Sequence, residues 1–172
     1  GSDANEQIAI FAGLCETAGG SVMTSAEGPD ADALLHLRRS MHPAMERLGQ
    51  VLIEDVSVPR SQLGAMFEEI RKIERERGVL IPTVAHAADG NLHPNFIVDG
   101  DEVPDHIWDA ADELFRRAIA LGGTLTGEHG VGLLKRRWLV DELGDDQWQL
   151  QRNIKSLFDP QGILNPGKVF TH

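Results

Sequence analysis

The chain has one cysteine, Cys15, so it can form no internal disulfide and cannot carry a cysteine-rich metal framework. A reducing, cytoplasmic setting suits such a chain. Cationic residues are also few: 16 Lys and Arg against 27 Asp and Glu leave a formal charge of −11. That balance repels phosphate backbones and anionic membranes, which argues against a nucleic-acid partner, although a local basic patch can still hold a small anion. No apolar run approaches the roughly 18 residues of a membrane span, so no transmembrane segment is expected. The opening GSDANEQ lacks the charged-then-apolar pattern of an export signal. Gly1-Ser2 reads as a cloning remnant, and residues 1–4 as a tag or a disordered lead-in. Internal repeats and low-complexity segments are absent too. What is there, 172 residues at 41% hydrophobic and 25% charged, has the length and balance of a single folded domain with a real core.

Periodicity organises the chain. Ile8, Phe11, Leu14 and Ala18 share a helical face before Gly19-Gly20, and SVMTSA then reads as a short strand. DADALLHLRRSMHPAMERLG is helical in pattern, kinked or divided at Pro43. VLIEDVSV reads as one strand ended by Pro59. Ser61 is placed to cap a helix whose Leu63, Met66, Phe67, Ile70 and Ile73 form a stripe up to Gly78. Two strand-like runs follow, VLIPTVAHA and NLHPNFIVD, joined at Asp89-Gly90. Asp105 is placed to cap a second amphipathic helix carrying Ile107, Ala111, Leu114, Ala118 and Leu121, closed by Gly122-Gly123, after which TLTG is a short strand. From residue 51 to about 127 this is strand, helix, strand, strand, helix, strand. The predicted class is therefore α+β, a ferredoxin-like split βαβ unit with a mostly antiparallel sheet and helices on one face. VGLLKRRWLVDELGDDQWQLQRNIKSLFDP adds helices broken near Gly144, and DPQGILNPGKVFTH an extended tail.

Asp-Gly between apolar runs is a strong hairpin signal, because a two-residue type I′ turn needs positive φ at both central positions. With Asp89 and Gly90 at the tip, His86 pairs directly with His93, and the two imidazoles converge on one face. Asn95, two residues on, points to the same face, while Pro94 weakens the ladder. A third group comes from GGTLTGEHGVG, where Glu128-His129 sits between glycines after the last strand. Two histidines and one carboxylate with open positions suit Zn²⁺, or a divalent ion such as Fe²⁺ or Mn²⁺. His129 is then a fourth ligand or an acid/base group. Either motif alone is weak, since a cross-strand His pair is more often a surface pair and a glycine-flanked His often only marks a turn. Together, at two strand ends of one small domain, they point to a metal site.

HAADGNLHPN, GGTLTGEHGVGLLKRRWL and IKSLFDPQGILNPGK closely resemble three motifs of the C-terminal domain of FAD-linked oxidases, of the glycolate oxidase, D-lactate dehydrogenase and D-2-hydroxyglutarate dehydrogenase type; EDVSVPRSQL resembles a fourth. The resemblance runs from about residue 31 to 170 and implies a cap domain over FAD held mainly by a separate flavin-binding domain or subunit. It makes His86, His93 and Glu128 the metal ligands and His129 the catalytic base. It assigns Asn95 to substrate contact and Arg38, or Arg39 one residue on, to the substrate carboxylate, which a planar guanidinium can grip through two hydrogen bonds. Asn165, Gly167 and Lys168 match a terminal motif directed at the flavin domain, and a docking tail is the equally open structural reading. The implied reaction oxidises a small D-2-hydroxy acid to the 2-oxo acid.

Two departures qualify that picture. No glycine-rich FAD-binding half precedes the matching region, only about thirty residues, so the chain reads as a piece of a longer protein or of a complex, inactive alone. Where some relatives place a substrate-contacting lysine, Gln50 and Ile53 flank the region here. The rival expectation is a non-catalytic metal- or small-acid-binding module, or an assembly subunit. Apolar surface left bare where the flavin domain docks would favour a homo-oligomer, and an electron acceptor would be what brings the protein to a membrane surface.

Overall fold

A computed structural model of the chain describes residues 2–25 and 28–170. The chain divides into two compact units, Gly1–Ala44 and Met45–His172. In the first, helix α1 (Ser2–Thr17) is followed by a non-regular stretch and by α2 (Pro29–Arg39). Residues 2–4, expected as a tag or loose lead-in, thus lie within a helix; Gly1 is outside the described residues. Residues 21–25 of SVMTSA form no strand, and Ala26 lies outside the described residues. The predicted long helix is divided at Ser40, one residue before α3 (Met41–Glu46), where Pro43 sits in the first turn and its missing N–H costs nothing.

The second unit carries the sheet. Strands β1 (Gln50–Ile53) and β2 (Val56–Ser57) are followed by a 3₁₀ turn at Arg60–Gln62 and helix α4 (Leu63–Arg77). Ser61 lies inside that turn and caps nothing. Then come β3 (Thr83–His86), β4 (Asn91–Val98), α5 (Asp105–Ala120) and α6 (Leu139–Phe158). Asp105 is the first residue of α5, beyond its cap Pro104, where its charge complements the helix dipole. Gly78 ends α4 in the left-handed conformation, φ 64°, the usual glycine exit. Non-helical Gly144 breaks α6 where expected, while residues 132–138 are turns rather than helix.

Among the described residues the other three strands, β1, β2 and β3, all pair with β4, each antiparallel. β1 and β2 hold one register along one side of β4, Ile53 opposite Asn95 and Val56 opposite Leu92. They are one strand interrupted at Glu54-Asp55. The amide of Glu54 donates to the Pro94 carbonyl at 2.9 Å, but Pro94 has no N–H to return the bond. β3 lies on the other side of β4, and Thr124 bridges the outer side of Ser57. The spatial order is that of the split βαβ unit, with the expected fourth strand TLTG reduced to one antiparallel bridge.

Alternation along β4 separates the two faces. Leu92, Phe96 and Val98 point into the core with Met66, Ile70 and Ile73 of α4 and Ile107, Ala111, Leu114, Phe115 and Ala118 of α5. Each large side chain buried there contributes about 1.5–3 kcal/mol. Asn91, His93 and Asn95 take the opposite face. Among the described residues no helix is long and apolar enough to cross a membrane.

Candidate metal centre

The hairpin differs from the two-residue turn expected of Asp89-Gly90. His86 pairs with Asn91, and His93 with Val84, so the loop has four residues, 87–90. Only Gly90 of the pair has positive φ, 84°, and the His86 carbonyl accepts bonds from the amides of Asp89 and Gly90. The register is shifted by two, which preserves the face of every side chain. His86 and His93 are therefore diagonal neighbours on one face, their ring centroids 5.3 Å apart and nearly perpendicular.

Glu128 closes the cluster from the loop after Thr124. Its Oε1 lies 2.9 Å from His93 Nε2 and 3.6 Å from His86 Nε2, and one ligand atom of each of the three residues falls within 4.8 Å of the others. Around a tetrahedral zinc with bonds near 2.1 Å, ligand atoms stand about 3.4 Å apart, close to these spacings. Two imidazole nitrogens and a carboxylate thus fit a divalent ion. His93 is largely covered, whereas the side chains of His86 and Glu128 are 43% and 52% exposed, which leaves the centre open on one side. Burial holds His93 below the ordinary imidazole range, against the pull of Asp55, and so favours the neutral ring a metal needs. His129 stacks on His93 with centroids 4.9 Å apart, its Nε2 4.0 Å from Glu128 Oε1.

Asp55, Glu54 and Lys135 went unnoticed in the sequence, though a Glu-Asp pair inside the apolar run VLIEDVSV is a signal in itself. Asp55 and Glu54 are fully buried, and Lys135 nearly so. Asp55 Oδ2 accepts hydrogen bonds from the amides of Glu128 (3.0 Å) and His129 (2.9 Å) and from Thr126 Oγ1 (3.1 Å). Burial pushes the Asp55 carboxyl up, but the bonds from His129, Glu128 and Thr126 and the Lys135 charge outweigh it and hold the group below its ordinary value. Lys135 Nζ donates to the Asp55 carbonyl at 2.6 Å and lies 4.0 Å from Glu54 Oε2. Glu54 is pushed up to about 7, chiefly by burial, and neither of its oxygens has a hydrogen-bond partner.

The remaining expected residues are each placed within their own unit. Asn95 is on the right face but buried, and its Nδ2 donates to the carbonyls of Pro82 (3.0 Å) and His93 (2.7 Å), so its amide group staples the sheet. Arg38 and Arg39 are exposed on α2 in the first unit. In the tail, Asn165 and Lys168 are exposed, while the Gly167 carbonyl accepts from Arg136 at 2.6 Å and the Val169 amide donates to the Gly132 carbonyl at 2.8 Å. The hollow beside them, about 50 Å³, is far smaller than the 300–1,000 Å³ of a typical ligand pocket.

The α+β unit thus carries, on the open face of its sheet, a His-His-Glu cluster that could hold a divalent ion, with a further histidine stacked beside it. The chain belongs to the family of FAD linked oxidases, C-terminal domain, whose model matches residues 1–169, thirty residues further toward the N-terminus than the motifs suggest. It is similar to glycolate oxidase subunit GlcD of Bacillus subtilis (strain 168), 42% identical over 154 residues, 87% of this chain and 33% of that protein. It is also similar to the D-lactate dehydrogenase of Archaeoglobus fulgidus, 36% identical over 141 residues, 81% of this chain and 31% of that protein. To the mitochondrial D-lactate dehydrogenase [cytochrome] 1 of Saccharomyces cerevisiae it is 36% identical, over 73% of this chain and 21% of that protein. The chain spans about a third or less of the length of these curated relatives.

Proposed function

We propose that this chain is the substrate-side domain of a flavin-dependent oxidoreductase that converts a small D-2-hydroxy acid to its 2-oxo acid, with FAD held mainly by a separate domain or subunit. The convergence of His86, His93 and Glu128 carries the reading, with His129 stacked directly beside them. The three would hold a divalent ion, zinc, iron(II) or manganese(II). When bound, the metal would supply Lewis acidity to the substrate hydroxyl, and the flavin a hydride acceptor.

The chain's own residues do the rest. His129 takes the hydroxyl proton on its ring, which is held in place by stacking against His93 and by the hydrogen bond that the His129 backbone N–H donates to Asp55 Oδ2. The exposed side of the cluster admits the substrate. Arg38 is assigned the substrate carboxylate on its motif and its fork geometry alone. Asn95 fixes the strand beside His93 through the His93 carbonyl. Asn165 and Lys168 are exposed and are assigned the flavin on their motif alone, while Arg136 holds the Gly167 carbonyl between them. Exposed Leu157 and Phe158, each 77% accessible, support a covering partner, whether the flavin domain or a second copy.

The test uses the complete flavin-containing protein, an artificial electron acceptor and a panel of D-2-hydroxy acids. His129→Ala should lower turnover by about 10²–10⁴-fold with flavin still bound. Near-normal turnover in that variant would remove His129 from the chemistry, and no turnover of any 2-hydroxy acid by the unaltered protein would remove the reaction class.

A further inference from the structure

We infer that the hollow beside His129 receives the substituent on the substrate's α-carbon, and that its lining favours a short alkyl group over hydrogen and rejects a second carboxylate. This inference rests on the 2-hydroxy-acid reading above and narrows it to a substrate class: acids with one carboxylate and a small aliphatic side chain.

The hollow lies within the second unit and measures about 180 Å³. That is below the roughly 300–1,000 Å³ of a drug-sized pocket and about six times the ~30 Å³ a water occupies in the liquid, which suits a group of a few carbon atoms. His129 forms part of its wall. The hydroxyl that His129 deprotonates sits on the carbon bearing the substituent, so the first atom of that group is only two bonds from the oxygen the base must reach. A hollow that shares the base's wall is therefore within its range. Ile53 supplies the side toward the sheet. It pairs with Asn95 on β4, and directly opposed residues share a face, so its side chain is on the face of Asn95 and His93. Val131, Leu133 and Leu134 extend the apolar lining, the last two more than half exposed and leaving the hollow open to an entering acid.

Charge decides what enters. Apart from His129, the charged residues of the lining are Glu54 and Lys135, whose side chains are 0% and 4% exposed. Lys135 Nζ donates to the Asp55 carbonyl at 2.6 Å and stands 3.6 Å from Asp55 Oδ2 and 4.0 Å from Glu54 Oε2, so its positive charge is already answered twice. A second carboxylate would shed its water against isoleucine, valine and leucine and meet no free cation there. The acid's own carboxylate is turned away on the same ground, which leaves the hollow to the side chain. An alkyl group gains by entering, since one methylene in an apolar pocket is worth about 10–200-fold in selectivity.

The experiment uses the complete flavin-containing protein and four acids that differ only in the α-substituent: glycolate, D-lactate, D-2-hydroxybutyrate and D-2-hydroxyglutarate. kcat/KM should rise about 10-fold or more from glycolate to D-lactate. It should fall about 10²-fold or more from D-2-hydroxybutyrate to D-2-hydroxyglutarate. Calorimetry with 2-oxobutyrate and 2-oxoglutarate, which requires no turnover, should show the same preference in affinity. Ile53→Lys sets a cation in the wall and should cut the ratio of the two affinities at least about tenfold. Equal affinity for both oxo acids in the unaltered protein, or a preference for the dicarboxylate, overturns the inference, and an unchanged ratio in Ile53→Lys overturns the part given to Ile53. If that variant does not fold, the series on the unaltered protein still decides. Failure of all four acids to turn over falls on the reaction class instead, while the calorimetric comparison continues to judge the hollow.

Discussion

Gly127 lies directly against Asn91: a Cβ added to it would overlap Asn91 Oδ1 and stand 2.6 Å from Asn91 Cγ and 2.9 Å from Asp55 Oδ1. The loop bearing Glu128 is thereby seated on the hairpin at the one point where a side chain has no room. Gly127→Ala must push the loop outward or displace Asn91, which costs about 1–3 kcal/mol by the usual measure of overpacking. Chemical denaturation should register that loss, and zinc affinity should fall with it; a variant of unchanged stability would mean that the loop rides more loosely than its contacts imply.

His86→Ala, His93→Ala and Glu128→Gln remove ligand atoms rather than their supports. Each should weaken zinc by more than the roughly 10–100-fold typical of losing a supporting partner. Metal content after purification and dialysis is the measurement. Equal metal in all four proteins would show that the ion, if any, binds elsewhere.

Glu54 should give an inverted pH signature. Its carboxyl is raised by burial to about 7, against the opposing charges of Lys135 and Arg137 and with the help of Asp55. Between an unfolded value near 4.5 and about 7 the folded chain holds more protons than the unfolded one, so stability from this group is present below about 4.5 and is lost as pH rises toward 7. Glu54→Gln escapes that loss. Relative to the unaltered chain, the variant should gain roughly 2–3 kcal/mol between pH 5 and pH 8. Urea midpoints at the two pH values check this, and a pH-independent difference would mean that Glu54 is ionised in the fold throughout.

Phe96 on β4 and Leu114 on α5 are both fully buried and on the side of the sheet away from the cluster. Phe96→Ala should cost about 3–5 kcal/mol and Leu114→Ala about 2–5 kcal/mol. Zinc affinity of the still-folded fraction should change little for Leu114→Ala, which separates loss of fold from loss of site.

Helices were legible from their stripes because burial on one side repeats every three to four residues, and α4 and α5 bury the residues expected of them. The strands were legible in order but not in detail. Pro82 and Pro94 each remove one ladder donor, which shortens β3 and splits the first strand, and no periodicity encodes that. The hairpin register differs by two residues from the expected one, yet His86 and His93 stay on one face, since an even slip keeps every side chain on its face. Asp55 was missed for a different reason: its importance comes from three donors more than seventy positions downstream, a convergence that spacing along the chain cannot express. Asn95 illustrates the converse, a residue whose face was read correctly and whose amide is nevertheless turned into the sheet.

The eight residues of β4 have neighbours along both flanks, whereas among the described residues the segment carrying Glu128 is hydrogen-bonded to the sheet at the Thr124–Ser57 bridge and through Asp55, and otherwise only packs against it. Local opening should therefore be lopsided: amide exchange ought to be slowest around His93 and fastest around Glu128. The two imidazoles then form the standing half of a clasp and the carboxylate its moving half, so that departure of whatever is held there begins on the glycine-rich side.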